Sequence, residues 1–207
     1  MTDPVLIAKG AEAEIFVSSF LGRDAIIKKR SPKRYRAAEL DDVLRSSRTK
    51  NEARIMKEAR KAGVRTPVVY DINLQECSMT MEEVKGLKVK EKLDGDPSSA
   101  AEICGMIGSA VASLHNAGIC HGDLTTSNMI LTEDGRLCLI DFSMGRTKAE
   151  LEDMGVDIRL LERAFTSAHP NLNEAFEELM RTYLSIKKDP DQLLRKLEEI
   201  KNRGRYT

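Results

Sequence analysis

The sequence predicts an α+β protein whose strands gather in the first 84 residues and whose later part is mainly helical. Three observations lead there. Before residue 85, short apolar runs of strand length alternate with turn signals. From Ser98 onward, long stretches repeat apolar residues at three- and four-residue spacing. Between these helical stretches sits one compact hairpin with a polar residue leaving each outer end. At 207 residues the chain suffices for one domain or two small lobes with a substantial core. Its 33 basic and 33 acidic residues cancel, so bulk charge calls for no polyanion partner and local clusters must supply any such contact. With 41% apolar and 32% charged residues, the composition is that of a soluble globular protein with an ionic surface. Cys77, Cys104, Cys120 and Cys138 form no C-x-x-C pair, which argues against a zinc knuckle or a disulfide framework. With no basic leader and no run of membrane-spanning length, a cytoplasmic protein is expected.

In chain order, Val5–Lys9 and Glu14–Phe20 read as strands around the turn Gly10-Ala11-Glu12-Ala13, and Ala25–Lys28 as a third. The segment 31–47 carries Lys33, Arg34 and Arg36 around Tyr35. It reads as an exposed loop, or as an RNA contact made by a basic stretch with an interleaved aromatic. A helix is expected from Ser47 to the stop at Gly63. Glu52 shares its inward face with Ile55, Met56 and Ala59, leaving two readings for that acid: a buried ion pair or a solvated helix residue. Val68–Asn73 and Ser78–Val84 are two more strands, and Lys85–Pro97 a polar connection containing Gly and Pro. Ser98–Gly118 is a helix lined by Ile103, Ile107, Val111 and Leu114, on which His115 reads simply as a packed or surface residue.

The most informative stretch is His121–Gly145, HGDLTTSNMILTEDGRLCLIDFSMG. Met129–Leu131 and Leu137–Ile140 flank the Asp134-Gly135 turn, so a hairpin returns Asn128 and Asp141 to one edge. Two oxygen ligands there suit Mg²⁺, which takes few protein ligands and keeps its other positions for phosphate and water. Asp123, in the preceding loop, is placed to accept a proton from an attacking hydroxyl or to orient it. That is equipment for transferring the terminal phosphoryl group of ATP. Two or three helices follow, over Lys148–Ser167, Asn173–Ile186 and Pro190–Asn202, ending in a basic tail with Arg203 and Arg205.

His121-Gly122-Asp123 with Asn128, followed by Asp141-Phe142-Ser143, resembles the catalytic and metal-binding loops of eukaryotic-like protein kinases. With Gly122, the HGDLTTSN loop, the RTKNEAR helix start, VDIRLLERAF before His169-Pro170, the short C-terminal region and the basic tail, the chain is similar to the compact RIO-related kinase/ATPase subunits of the KEOPS complex. The resemblance implies a bilobal protein-kinase-like fold: residues 1–84 the nucleotide-binding lobe, 85–97 the connection, 98–207 a truncated catalytic lobe. It assigns Asp123 and Lys28 to catalysis and Asn128 and Asp141 to Mg²⁺. It places Gly10, Ala25, Lys28, Glu52, Met81, Glu82, Val84 and Ile130 about ATP, with Ala25 over the adenine. Asp157 resembles the acid that braces the catalytic loop, the other reading being a helix acid paired with an arginine.

The resemblance further implies weak Ser/Thr kinase or self-phosphorylating activity, ATP hydrolysis, and work in tRNA threonylcarbamoyladenosine formation. The implied partners are the metal-dependent threonylcarbamoyl-transferase subunit, other KEOPS subunits, and tRNA met by the assembled complex and the tail at Arg203 and Arg205. Two alternatives stay open: a small-molecule phosphotransferase of the aminoglycoside or choline type, which also uses a His-Gly-Asp-Leu loop, and a nucleotide-sensing scaffold, to which the sparse glycine loop and Glu12 point. Glu12, an acid in the turn expected over phosphate, would repel a nucleotide or restrain the site.

Overall fold

The structure, a computed structural model, describes residues 4–10 and 12–203. It divides into two compact units, one running to Lys57 and adding Pro67–Val84, the other taking Glu58–Thr66 and the chain from Lys85 on.

The first unit is an antiparallel sheet of β1 (Val5–Lys9), β2 (Glu14–Phe20), β3 (Arg23–Lys29), β4 (Val69–Asn73) and β5 (Ser78–Glu82), in the order β1-β2-β3-β5-β4. A two-residue turn joins β2 to β3, and both Leu21 and Gly22 have positive φ there. That conformation matches the twist of a tight hairpin. β3 keeps an unbroken register with β2 and β5, so its side chains alternate strictly between faces.

Helix α1 (Ala38–Lys61) begins nine residues before the expected Ser47, so the segment 31–47 is not simply an exposed loop. Its opening turn is acidic, with Glu39 and Asp41, which favours a helix N-terminus. Asp41 is buried and organises the approach. It accepts from Arg45 at 2.7 Å, Arg36 at 3.3 Å and the Lys33 amide at 3.2 Å.

From Lys85 on, the second unit has β6 (Gly86–Lys88), α2 (Val89–Gly95) and a 3₁₀ turn at Pro97–Ser99, regular structure where only a connection was expected. The central helix α3 (Ala100–Asn116) leads to β7 (Ile119–Cys120), a 3₁₀ turn at Thr126–Asn128, and the hairpin β8 (Met129–Thr132) and β9 (Leu137–Leu139). β10 (Arg146–Thr147) precedes α4 (Leu151–Ala168), α5 (Asn173–Ile186) and α6 (Pro190–Arg203). β6 pairs with β8, which pairs with β9.

Gly108 lets α3 lie tight on α5: a Cβ there would stand 2.3 Å from the Leu179 carbonyl oxygen. α4 starts at a capping box in which Glu150 and Asp153 satisfy each other's backbone donors, a device that contributes about 1 kcal/mol. Its buried stripe is Met154, Ile158, Leu161 and Phe165, and Asp157 lies within it. All four cysteines are buried free thiols. Among the described residues, no helix is long and apolar enough to cross a membrane.

Candidate active site

In the first unit, the strand pleat decides which side chains gather. Lys28 and Arg30, two residues apart, both reach the buried carboxylate of Glu52 on α1: Lys28 Nζ at 2.8 Å and Arg30 Nη2 at 2.6 Å. Lys29, between them, turns the other way and pairs with Glu76. Lys28, Arg30 and Glu52 retain 7%, 3% and 2% exposure, so this is a desolvated cluster with two cations on one carboxylate. Glu12 supplies the second anion, meeting Arg30 at 3.4 Å and Arg48 at 2.7 Å. Lys28 and Arg30 thus belong to an internal ionic network.

The same alternation corrects one expectation. Ala25 is fully buried but lies on the face opposite Lys28, an odd number of residues away. Lys28's face carries Ile26, with Met81 directly across from Ile26 and Met79 across from Lys28 on β5. Counting two residues back from Lys28 would have found Ile26 in the sequence. Glu82 pairs across from Ala25 on that opposite face, and its carboxylate accepts the Val68 amide at 3.0 Å. Val84 follows, half-buried, at the end of this unit. Gly10 opens the β1–β2 turn, its amide donating to the Ala13 carbonyl at 2.9 Å. Ala11 lies outside the described residues.

In the second unit, the stretch singled out in the sequence is a closed excursion. β7 pairs with β10, Cys120 opposite Arg146, so the chain leaves at residue 121 and returns at 145. Asp157 holds its start: one carboxylate oxygen accepts the His121 amide at 2.8 Å and the other the Gly122 amide at 2.9 Å. This is the bracing geometry, and the arginine-paired alternative is ruled out. Gly122 sits at φ +82°, and a Cβ there would come within 2.3 Å of the Met144 carbonyl oxygen. No residue with a side chain fits without moving backbone.

His121 bridges the two motifs. A carbonyl can only accept, so Nε2–H donates to Ile140 at 3.0 Å, and Nδ1 is left to accept the Asp123 amide at 3.3 Å. Burial pushes the His121 pKa down, outweighing the pull of Asp157, Asp141 and Asp123, so the ring stays neutral and keeps both bonds. It packs on Phe142 with ring centroids 4.4 Å apart. One imidazole thus ties the backbone of Asp123 to the residue before Asp141.

Asn128 turns its Nδ2 group to the Asp123 carbonyl at 2.9 Å and carboxylate at 2.8 Å. Its Oδ1 remains as a ligand atom, and the exposed Asp123 keeps a second carboxylate oxygen to accept a proton. The Ile140 amide donates to the Asn128 carbonyl at 3.0 Å, bringing Asp141 beside Asn128 at the hairpin's end. Asp141 adopts φ +62°, a strained conformation for a residue with a side chain, and accepts the Ser143 amide at 3.3 Å. An amide oxygen and a carboxylate on adjoining backbone form a hard donor set that fits Mg²⁺. Ile130, half-buried in the central strand β8, pairs with Lys88 and Cys138.

Two buried histidines were not legible as parts of this site. His115 Nε2 donates to Asp157 at 3.3 Å, and Nδ1 accepts the Tyr183 hydroxyl at 2.8 Å. Burial raises the Asp157 carboxyl, but the hydrogen bonds from the His115 ring and the His121 amide outweigh it, leaving its pKa below the usual carboxylate range. Cys120 stands in the same cluster, but these donor atoms are already committed to hydrogen bonds and burial drives its thiol pKa up, so the trio is a structural brace. His169 Nδ1 meets Asp94 at 3.4 Å, while Nε2 accepts the Thr126 hydroxyl at 3.0 Å, two residues before Asn128. Arg203, exposed, pairs with Glu152 at 2.6 Å, and Arg205 lies outside the described residues.

Residues 15–178 match the RIO domain model. The chain belongs to the RIO domain family. It is 44% identical over 205 residues to a "Probable bifunctional tRNA threonylcarbamoyladenosine biosynthesis protein" of Methanothermobacter thermautotrophicus, covering 99% of this chain but 37% of that one. It is 40% identical over 211 residues to the "KEOPS complex subunit Bud32" of Pyrococcus abyssi, covering 97% and 96% of the two chains. The chain thus spans little more than a third of the length of the bifunctional relatives it matches. Among solved structures, the Rio2 kinase of Chaetomium thermophilum, in complex with ADP, Mg²⁺ and phosphoaspartate, superposes with a TM-score of 0.65 at 15% identity. That likeness covers 97% of this chain and 70% of the other. The α+β expectation and the kinase-like fold both hold.

Proposed function

We propose that this protein is an atypical serine/threonine kinase and ATPase that uses ATP and Mg²⁺ to support KEOPS-dependent formation of threonylcarbamoyladenosine in tRNA. The observation that carries the reading is the Asp123–Asn128–Asp141 arrangement, held by the His121 bridge and the Asp157 brace. It supplies a solvent-facing carboxylate beside a hard donor pair on a rigid backbone.

Lys28, oriented by Glu52, binds the α- and β-phosphates; Asn128 Oδ1 and the Asp141 carboxylate hold the metal. Bound there, Mg²⁺ neutralises charge on the triphosphate oxygens. Asp123 accepts the proton of, or orients, a serine, threonine or water hydroxyl, its carboxylate aimed by Asn128. Such chemistry is mostly positioning and charge stabilisation, which suits a site fixed by buried hydrogen bonds. Family membership favours this reading over a small-molecule phosphotransferase, and the intact donor set favours it over a passive scaffold.

The relatives named as KEOPS subunits point to assembly with that complex. We assign the metal-dependent threonylcarbamoyl-transferase as the direct partner, with tRNA reached through the assembled complex and the basic tail at Arg203 and Arg205. The test is ATP hydrolysis by the purified protein with and without that transferase and tRNA, for wild type and Asp123→Ala. The variant should bind nucleotide normally but turn over roughly 10²- to 10⁴-fold more slowly, the usual contribution of a positioned acid or base. Full activity in a contaminant-free Asp123→Ala preparation refutes the role.

A further inference from the structure

The segment 31–48 builds a feature the catalytic reading does not use. Arg30, Lys33, Arg36, Arg45 and Arg48 converge with Glu12 on a cavity of about 160 Å³. Asp41, at one side of this cluster, balances part of the charge through Arg36 and Arg45. Arg45 is spent on structure, bonding Asp41, Asp42 and the Arg30 carbonyl. Arg30 and Arg48 differ: each turns an Nη1 to Glu12, the one carboxylate among the described residues that line the cavity. Glu12 is 45% exposed and sits in the short β1–β2 turn, so it occupies the place of an anion without being locked into it. Removing it would leave two guanidinium donors and Lys33 facing one small pocket, the arrangement that suits a phosphate group.

Tyr35 indicates what kind of phosphate. Its ring lines the cavity at 77% exposure, with the Arg36 guanidinium over it at 5.2 Å from the centroid. A solvent-facing aromatic beside a cationic pocket is a stacking platform for a base next to its backbone phosphate. A phosphorylated peptide would use the cations and leave the ring without a role.

We propose that this cavity is a second phosphate site, which takes a backbone phosphate of single-stranded RNA, stacks the adjoining base on Tyr35 and displaces Glu12 from Arg30 and Arg48. Binding here is separate from phosphoryl transfer, so it is tested without nucleotide. Fluorescence anisotropy of a labelled ten-nucleotide single-stranded RNA, titrated with the full chain across a salt series, reads both affinity and the number of phosphates neutralised. Tyr35→Ala should weaken binding about tenfold with the salt slope unchanged, because only stacking is lost. Lys33→Ala should lower the slope by about 0.7, one phosphate contact on a single strand. Glu12→Gln should tighten binding by removing the competing carboxylate. An oligomer abasic along its length should bind wild type no better than intact RNA binds Tyr35→Ala. The basic tail is common to every variant, so it does not produce these differences. The proposal is overturned if Tyr35→Ala and Lys33→Ala both bind as wild type, or if a phosphoserine peptide or inorganic phosphate saturates the pocket more tightly than RNA does. Failure here leaves the ATP-dependent reading untouched, since no turnover is measured.

Discussion

Asp157 offers the sharpest test of how the site is held. Replacing it by Ala removes the acceptor of two backbone amides, at 2.8 and 2.9 Å, and of the His115 ring at 3.3 Å, all deep in the second unit. Each stranded donor costs about 1–3 kcal/mol. Relaxation around the three donors and release of the carboxylate's own burial cost offset part of that sum, so about 4 kcal/mol is expected here. A domain of this kind holds about 5–15 kcal/mol in total, so the variant should still fold at room temperature. At about 2–4 °C per kcal/mol for a chain of this size, Tm should fall by roughly 8–16 °C.

Asp157→Asn keeps one acceptor oxygen and should lose about half as much. Urea unfolding followed by circular dichroism gives the free energies and thermal scans give Tm. The pH dependence carries its own sign. The folded carboxyl lies below its unfolded pKa of about 3.9. Its stabilising contribution is therefore complete above that value and is lost as pH falls through the folded one. The gap between wild type and Asp157→Ala should accordingly narrow in acid. A loss under about 1 kcal/mol, or a gap indifferent to pH between 5 and 2, would refute the brace.

Other consequences are more direct. Gly122→Ala places a Cβ 2.3 Å from the Met144 carbonyl at φ +82°, so it should cost more than about 1 kcal/mol in urea unfolding and slow turnover; a neutral result would contradict the backbone geometry. Glu52→Gln leaves Lys28 and Arg30 buried without their shared charge, and should lower stability by about 3–5 kcal/mol and weaken ATP binding by calorimetry. Asp141→Ala should abolish the magnesium-dependent part of ATP hydrolysis, as chelation should in wild type; a magnesium titration identical to wild type would remove Asp141 from the metal set.

Much of the fold was legible because it rests on local physics. The β1–β2 pair, the β8–β9 hairpin and the terminal helices follow from two- and 3.6-residue periodicity with turn residues at the breaks. The early start of α1 was missed because the basic run Lys33–Arg36 looked like a loop. What fixes it is Asp41, whose partners cannot be seen until the chain folds back. Ala25 was misassigned although the pleat could have excluded it.

By itself the sequence determined the main strands and helices, the family resemblance and the acid–amide–acid pattern, since these rest on periodicity and motifs that are local in the chain. Only the tertiary structure decided which charges are buried and what they hold. It made Arg30 a buried partner of Glu52, made His115 and Asp157 a brace, and gave His121 its two bonds. Those outcomes depend on atoms 19 to 42 residues apart meeting where water is excluded, and there a hydrogen bond's partner rather than its sequence position sets its value.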